Sequence, residues 1–392
     1  MIGVQEAKEI IRARIEPLAA REVRLDDAWG CMLAEDCAAD GDFPPFDQAA
    51  VDGYAFRFAD IASGALRLAG AVAAGSRLPR VLEAQTAVRI FTGAPMPAQA
   101  DTVVMQELAK VADGQLVIDD RQLQQRGNVR PQGSDIQEGT VAMQQGTVLS
   151  PAAIGFLAGI GRSAVVAVPR PRVCIIVTGN ELAKPGQPLQ HGQVYESNSY
   201  ALRAALQQLQ VAEVVVRYVG DDLSQTTEQL DEALQSADVV LVSGGISVGD
   251  YDYVNRALKQ CEVEKQFYKV RQKPGKPLYF GTKGQKPVFG LPGNPASVLV
   301  CFYEYVVPAL ELLTQRRLMP EPLQLAIASQ GQKKPGLTHF LKGYFNENDV
   351  QVLSAQESYR LRSFAVSNCL VCLPEAMESF NQGMVVQVQP LP

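Results

Sequence analysis

Histidine is nearly missing from this chain: His191 and His339 are the only two among 392 residues. That shortage excludes a histidine-ligated metal centre and a histidine-based catalytic triad, so any metal here should be a hard cation held by carboxylates. Tryptophan occurs once. No uncharged apolar run approaches the roughly 18 residues that a membrane span needs. Basic blocks are lacking too, and 36 basic against 42 acidic residues leave a net charge of −6. A nucleic-acid binder needs a basic stripe, and this sequence offers none.

The first residues, Met1-Ile-Gly-Val-Gln-Glu-Ala-Lys-Glu9, carry acids and no apolar core behind a basic start. No secretory leader is expected, and the expected setting is cytoplasmic. The seven cysteines (Cys31, Cys37, Cys174, Cys261, Cys301, Cys369 and Cys372) are an odd number, mostly inside apolar runs. They read as reduced core residues. Cys369-Leu-Val-Cys372 is formally a C-x-x-C, but without a second pair or a nearby histidine it reads as core strand.

At about 150 residues per domain, the length predicts two to four domains. Val4, Ala7, Ile10, Ile11 and Ile15 have helical spacing. A second short helix is expected at roughly 26–36, stopped by the prolines of Phe43-Pro-Pro-Phe-Asp47. From 45 to 140, short Val/Ala/Leu runs broken by Gly, Pro and Asp predict a small β domain. Residues 150–165 read as helical, and strands then alternate with helices. Strands are expected at 173–177, 213–219, 238–242, 266–271 and 287–289. Helices are expected at 197–209, at 224–236 capped by Ser224, and from Pro295 to about Leu313. That order predicts a doubly wound parallel sheet. Short strands beyond 320 predict a β-barrel-like module, so the fold class is multidomain α/β plus β. The expected division is 1–44 with 141–168, then 45–140, 169–317 and 318–392.

Open α/β sheets bind ligands where strands end and helices begin. Four strand ends here carry small or acidic residues. They are Thr178-Gly-Asn-Glu181, Gly220-Asp221-Asp222, Ser243-Gly-Gly-Ile-Ser247 with Asp250 and Asp252 after it, and Gly290-Leu-Pro-Gly-Asn-Pro295. Gly244 and Gly245 let backbone amides approach an anion that a Cβ would hold off. Asn294 is placed to cap the next helix and Pro295 to open it, with free N–H groups facing an anion. Glu181, Asp221, Asp250 and Asp252 are too many carboxylates for an anion site unless a divalent cation neutralises them. Mg²⁺ bridging a phosphate meets that need. Lys273-Pro-Gly-Lys276-Pro277 adds two ammonium groups on a rigid turn. Neither a P-loop nor a strand-borne G-x-G-x-x-G is present. Asp52, Thr92 and Asp135 lie on segments that read, by themselves, as turns.

Seven segments together resemble a known family. They are Phe43–Ala55, Thr92-Gly-Ala-Pro95, Gly133-Ser-Asp-Ile136, Thr178–Leu182, Ser243–Ser247, Lys273–Pro277 and Gly290–Pro295. They stand in the order found in molybdopterin molybdenumtransferases, which include the bacterial molybdenum-cofactor protein and the E domain of gephyrin. The resemblance covers essentially the whole chain. It implies four-domain subunits in a homodimer, with one domain resembling molybdopterin adenylyltransferase. The implied reaction takes adenylylated molybdopterin and molybdate, with Mg²⁺, and releases AMP. Asp52, Thr92 and Asp135 of one subunit would face Glu181, Asp221 and Asp252 of the other. Asp221, Asp252 and Glu181 would hold the metal. Thr178, Gly179, Ser243, Gly244, Gly245, Ser247, Lys273, Lys276, Pro292 and Pro295 would bind substrate. Ser363 matches a serine linked to molybdate in relatives. Transient contact with other molybdenum-cofactor proteins is also implied, and neither nucleic acid nor membrane.

The chain departs from the family in places. Gln48-Ala49 replaces the more usual Asn-Ser, and Leu337 stands where many members carry Arg, with basic Lys342 nearby. Two other readings stay open on sequence alone: a molybdopterin adenylyltransferase, and a non-catalytic gephyrin-like scaffold. The extra modules argue against the first, and the retained acids against the second.

Overall fold

The computed structural model describes every residue except 77–80, 212 and 247–252. Two compact units form: Met1–Arg21, Gly30–Met32 and Val168–Pro392 make the larger, Glu22–Trp29 and Leu33–Ala167 the smaller. Helix α1 (Val4–Arg14) carries the expected apolar face. Ala7 and Ile11, with Ile15 just beyond, are buried in the core of the larger unit, so α1 groups there and not with residues 141–168. The helix expected at 26–36 does not form. Leu25–Asp27 is a single 3-10 turn and Met32–Leu33 a short strand. Ala28, Cys31, Met32 and Leu33 are all buried, and a run buried on every side lacks the polar face a surface helix needs.

In the smaller unit, β1 (Gly53–Phe56), β2 (Leu66–Val72), β3 (Thr86–Ile90), β4 (Thr102–Met105), β5 (Ala109–Ala112) and β6 (Gln115–Ile118) form one sheet. Its order is β4-β1-β3-β2-β6-β5. Phe56, Val88, Ile90, Val103 and Leu116 fill its core. Helix α2 (Pro151–Gly159) starts where Ser150 Oγ accepts the Ala153 N–H at 3.2 Å, with Pro151 in the first position.

The larger unit alternates strand and helix as its sequence predicts. Its elements are β7 (Arg172–Thr178), α3 (Asn198–Gln208), β8 (Glu213–Val219), α4 (Leu223–Ser236), β9 (Val239–Ser243) and α5 (Tyr253–Gln260). Then follow β10 (Glu264–Tyr268), β11 (Tyr279–Lys283), β12 (Lys286–Leu291), α6 (Pro295–Cys301) and α7 (Val307–Thr314). A π-helical turn, Phe302–Val306, joins α6 to α7 into one continuous helix. The sheet runs β8-β7-β9-β12-β11-β10. The first four strands are parallel, and β11 and β10 add an antiparallel edge. Alternate residues of β7 feed opposite faces. Val173, Ile175 and Val177 pack with α1, α3 and the Pro295–Thr314 helix, whereas Cys174 and Ile176 pack with α4 and α5. That helix is long and apolar enough to cross a membrane by composition, but 78% of its most apolar window is buried in the protein, which makes it a core helix. Asp222, not Ser224, caps α4, its carboxylate accepting from the Gln225 N–H at 2.8 Å.

Five more strands, β13 (Leu323–Ile327), β14 (Thr338–Phe345), β15 (Asp349–Val352), β16 (Cys369–Leu373) and β17 (Val385–Pro390), run in the order β14-β15-β13-β17-β16. Pairing of β14 with β16 closes them into a barrel. Burial pushes the thiols of Cys369 and Cys372 up to about 12 and about 11, so this C-x-x-C holds inert thiols of a core strand.

Candidate active site

Register brings the strand ends of the larger unit side by side. Thr178 pairs with Val219, Val177 with Ser243, and Ser243 with Leu291. The chain leaves β7 for β8 on one side, while β9 lies on the other, so the switch point of the sheet falls between Thr178 and Ser243. Gly244 and Gly245 follow with φ of +92° and +66°, which only glycine adopts freely. A Cβ on Gly245 would stand 2.7 Å from Thr178 Oγ1, and one on Gly244 2.6 Å from the Thr178 carbonyl oxygen. Thr178 is 4% exposed, and its hydroxyl oxygen is buried with no hydrogen-bond partner. An orphan hydroxyl facing two bare glycines is a cradle for a polar ligand atom.

The neighbouring turns are tied to this cradle. Asn180 N–H donates to Asp221 Oδ2 at 3.3 Å, and Asp221 N–H returns a bond to Asn180 Oδ1 at 3.1 Å. The Glu181 carboxylate folds over Gly179, where a Cβ would lie 2.6 Å from its Oε2. Asn198, at the start of α3, donates from Nδ2 to Ser243 Oγ at 3.0 Å and to the Gly293 carbonyl at 2.9 Å. Its Oδ1 is a second buried oxygen without a partner. Buried Glu196 fixes that helix start by accepting the Ser199 N–H at 2.7 Å and the Ser199 hydroxyl at 2.5 Å.

The two lysines stand on a turn clamped from beneath. Gln272 Nε2 donates to the Pro274 and Gly275 carbonyls, both at 3.1 Å, and the Tyr305 hydroxyl donates to Gln272 Oε1. Gly275 lies so close to the Pro295–Thr314 helix that a Cβ would meet Cys301 Sγ at 2.5 Å. Lys273 and Lys276 remain exposed above it. Pro292 is buried, and Pro295 opens α6. Asn294 does not cap α6 with its side chain. Its Nδ2 donates instead to Ser358 Oγ at 2.8 Å, and the Ala296 N–H donates to the Ser358 carbonyl at 3.0 Å. The helix end therefore presents fewer free N–H groups than the sequence suggests. Ser363 lies nearby in the chain, its hydroxyl donating to the Ala355 carbonyl at 2.8 Å.

In the smaller unit, Asp52 and Thr92 are brought together. One carboxylate oxygen of Asp52 accepts both the Thr92 N–H and the Thr92 hydroxyl, each at 2.8 Å. These two bonds, helped by Arg89, hold the Asp52 carboxyl below its usual range. Arg89 lies over Tyr54 and Phe91 at 5.0 and 5.2 Å and hydrogen-bonds Gln106. Asp135 sits on a separate exposed turn, its N–H donating to the Phe43 carbonyl at 3.0 Å. Ser247, Asp250 and Asp252 lie outside the described residues.

Residues 2–161 match the MoeA N-terminal region (domain I and II), 174–312 a probable molybdopterin binding domain, and 325–391 the MoeA C-terminal region (domain IV). A molybdopterin molybdenumtransferase 2 of Mycobacterium tuberculosis is 34% identical, with 100% of both chains covered. The chain belongs to the molybdopterin molybdenumtransferase family. A Haemophilus influenzae member is 32% identical over 95% of this chain and 94% of its own. The solved structure of a molybdopterin biosynthesis moeA protein from Pyrococcus horikoshii superposes with a TM-score of 0.74 at 28% identity, over 100% of this chain and 99% of that one.

Sequence reasoning missed Asn198, Gln272 and Arg89. Asn198 carries a readable signal, a Glu-Ser-Asn-Ser run at a helix start. Gln272 directly precedes the lysine turn but owes its role to Tyr305, 33 residues on.

Proposed function

We propose that this chain transfers molybdenum from molybdate to adenylylated molybdopterin and releases AMP, in molybdenum cofactor biosynthesis. The observation that carries this reading is the orphan Thr178 hydroxyl facing Gly244 and Gly245 at the switch point of the sheet. Phosphate oxygens have the size and acceptor chemistry for such a nest of donors. Thr178, Gly179, Ser243, Pro292 and Pro295 line the strand ends that would hold the adenylylated pterin, and Ser247 would join them. Lys273 and Lys276 supply positive charge for molybdate, with Ser363 beyond them.

Glu181 and Asp221 lie on the turns after β7 and β8, which Asn180 ties together, and their hard oxygens suit Mg²⁺, which takes one or two carboxylates and completes its shell with phosphate oxygens and water. Asp252 would add a third. Among the described residues no group of three His, Cys, Asp or Glu side chains is close enough to hold a metal, so substrate oxygens are assigned the remaining positions. Bound there, Mg²⁺ would draw charge from the phosphoanhydride as it breaks. Asp52, Thr92 and Asp135 complete the proposed catalytic set, in a homodimer. We also propose a cytoplasmic setting, supported by seven cysteines that form no disulfide.

Incubation with adenylylated molybdopterin, Mg²⁺ and molybdate tests the reaction. AMP should appear only when all three are present, and chelation should stop it. Product from ATP and molybdopterin instead would make the chain an adenylyltransferase. No turnover of either kind would leave a scaffold. Mixing inactive Asp52→Asn and Asp221→Asn chains tests the dimer, since a site shared between copies regains activity in mixed dimers.

A further inference from the structure

A cavity of about 580 Å³ lies between α5 and the strands β10 and β11. That volume is in the range of small-molecule sites, roughly 300–1,000 Å³. Arg256 and Lys259 stand three apart on α5, which puts them on one face of the helix. Lys265 joins them from β10 because of a bulge. Lys265 pairs with Gly281 and Phe267 with Phe280, so Gln266 is an extra residue, and Lys265 and Tyr268 both come to the α5 side of the sheet. None of the three cations has an ion-pair or hydrogen-bond partner among the described residues. Glu262 and Glu264, on either side of Val263, pair elsewhere, with Lys283 at 2.7 Å and Arg14 at 3.6 Å.

Val263, Tyr268 and Tyr279 also line the cavity. Tyr279 is 3% exposed, and its hydroxyl has no hydrogen-bond partner among the described residues. A Cβ on Gly281 would stand 2.8 Å from that oxygen, so the glycine leaves the room in which the phenol lies. Burial pushes the phenol up to about 12, so it keeps its proton and remains a donor at neutral pH. A buried donor without an acceptor is costly, and a ligand oxygen would remove that cost. Three positive charges exceed what one carboxylate neutralises. They match a phosphate group, which carries about two negative charges and three acceptor oxygens. The volume exceeds one phosphate and leaves the apolar side for an organic part. The geometry points to a site for a small organic phosphate, its phosphoryl group held by Arg256, Lys259 and Lys265, with the Tyr279 hydroxyl donating to one of its oxygens. Tyr268 links that site to the strand-end cradle, because its hydroxyl donates to the Ile246 carbonyl at 2.6 Å, directly after Gly244 and Gly245. An occupant packed on Tyr268 therefore steadies the Gly244–Ile246 backbone. Its effect on turnover rests on the proposed reaction, but the binding itself does not.

Calorimetric titration of the full chain with inorganic phosphate, ribose 5-phosphate and AMP tests the site. Both esters should bind more tightly than inorganic phosphate. AMP ahead of ribose 5-phosphate would identify a nucleotide as the source, and equal affinities a sugar phosphate. With Lys259→Glu and Lys265→Glu combined, ester affinity should fall roughly hundredfold, as for two lost charge-assisted contacts. Tyr279→Phe should weaken it roughly tenfold while thermal stability holds or rises, since only an unpartnered hydroxyl is removed. Thr178→Val should leave it unchanged, which separates this site from AMP held at the cradle. Under saturating ester, hydrogen exchange at 243–246 should slow in wild type and not in Tyr268→Phe. Ester affinity untouched by the lysine reversals would overturn the site. So would inorganic phosphate binding as tightly as the esters, or no ester binding at millimolar concentration. Unchanged exchange at 243–246 on saturation would overturn the link through Tyr268. A chain that binds the ester yet releases no AMP from adenylylated molybdopterin would defeat the proposed reaction and leave the site standing.

Discussion

Tyr305 supports Gln272, its hydroxyl donating to the Gln272 carbonyl oxygen, and both side chains are at most 1% exposed. Gln272 passes that support on to the carbonyls under Lys273 and Lys276. Gln272→Leu should lower stability by about 1–3 kcal/mol, the cost of leaving buried polar groups unmade. Adding Tyr305→Phe should restore part of the loss, because removing both partners spares the orphaned hydroxyl. Denaturant unfolding of both single variants and the double variant measures this. An additive double variant would show that the two side chains act independently.

Thr178→Val keeps the shape of the side chain and removes an oxygen that has no protein partner. Stability should hold or rise slightly, whereas affinity for the adenylylated pterin should fall roughly tenfold, the value of one good ligand hydrogen bond. Thermal unfolding and ligand titration on the same sample check the pair of outcomes. A destabilised variant with unaltered affinity would assign Thr178 to the fold alone.

Thr92→Val removes one of the two bonds that hold the Asp52 carboxyl low. Its pKa should climb toward the ordinary value of 3.8, the larger backbone bond from Thr92 remaining. Asp52 would then protonate at higher pH on acidification, and the acid limb of AMP release should shift upward. A pH–rate profile of wild type and variant reads this directly, and superimposable acid limbs would remove Asp52 from the rate-controlling step.

His339 titrates at about 4 instead of 6.5, because burial and then the charges of Lys333 and Lys273 oppose its protonation. Its folded-state value is depressed, so the unfolded chain binds the proton first as pH falls. Stability from this residue is complete above pH 6.5 and is lost progressively toward pH 4. The melting temperature of wild type should therefore drop more steeply across that window than that of His339→Leu. Parallel curves would place the imidazole in solvent.

Much of the α/β sheet was legible because its signals are local. Runs such as Val173–Val177 end in glycine, serine or aspartate, and pleating then splits each run between two faces. Register, which aligns Thr178, Ser243 and Leu291, came only with the fold. What could not be read depends on distant partners. Asn198 reaches Gly293 across 95 residues, and Asn294 turns from its own helix to Ser358 across 64. The cap of α4 is Asp222 and not Ser224 because the helix starts at Leu223, where the Asp222 carboxylate reaches the Gln225 N–H. Asp52 looked like an ordinary turn acid, and only the fold puts Thr92, 40 residues on, against it.

The continuous helix from Pro295 to Thr314 has a thermodynamic consequence. The Lys273–Pro277 turn is fixed on its middle and segment 355–360 on its first turn, before any ligand arrives. A dianion entering there meets a backbone already in place, so binding orders the two lysine side chains but no loop. Capture should then be limited by diffusion and long-range attraction rather than by loop ordering, which makes its rate fall with added salt while its saturation shows no slow phase.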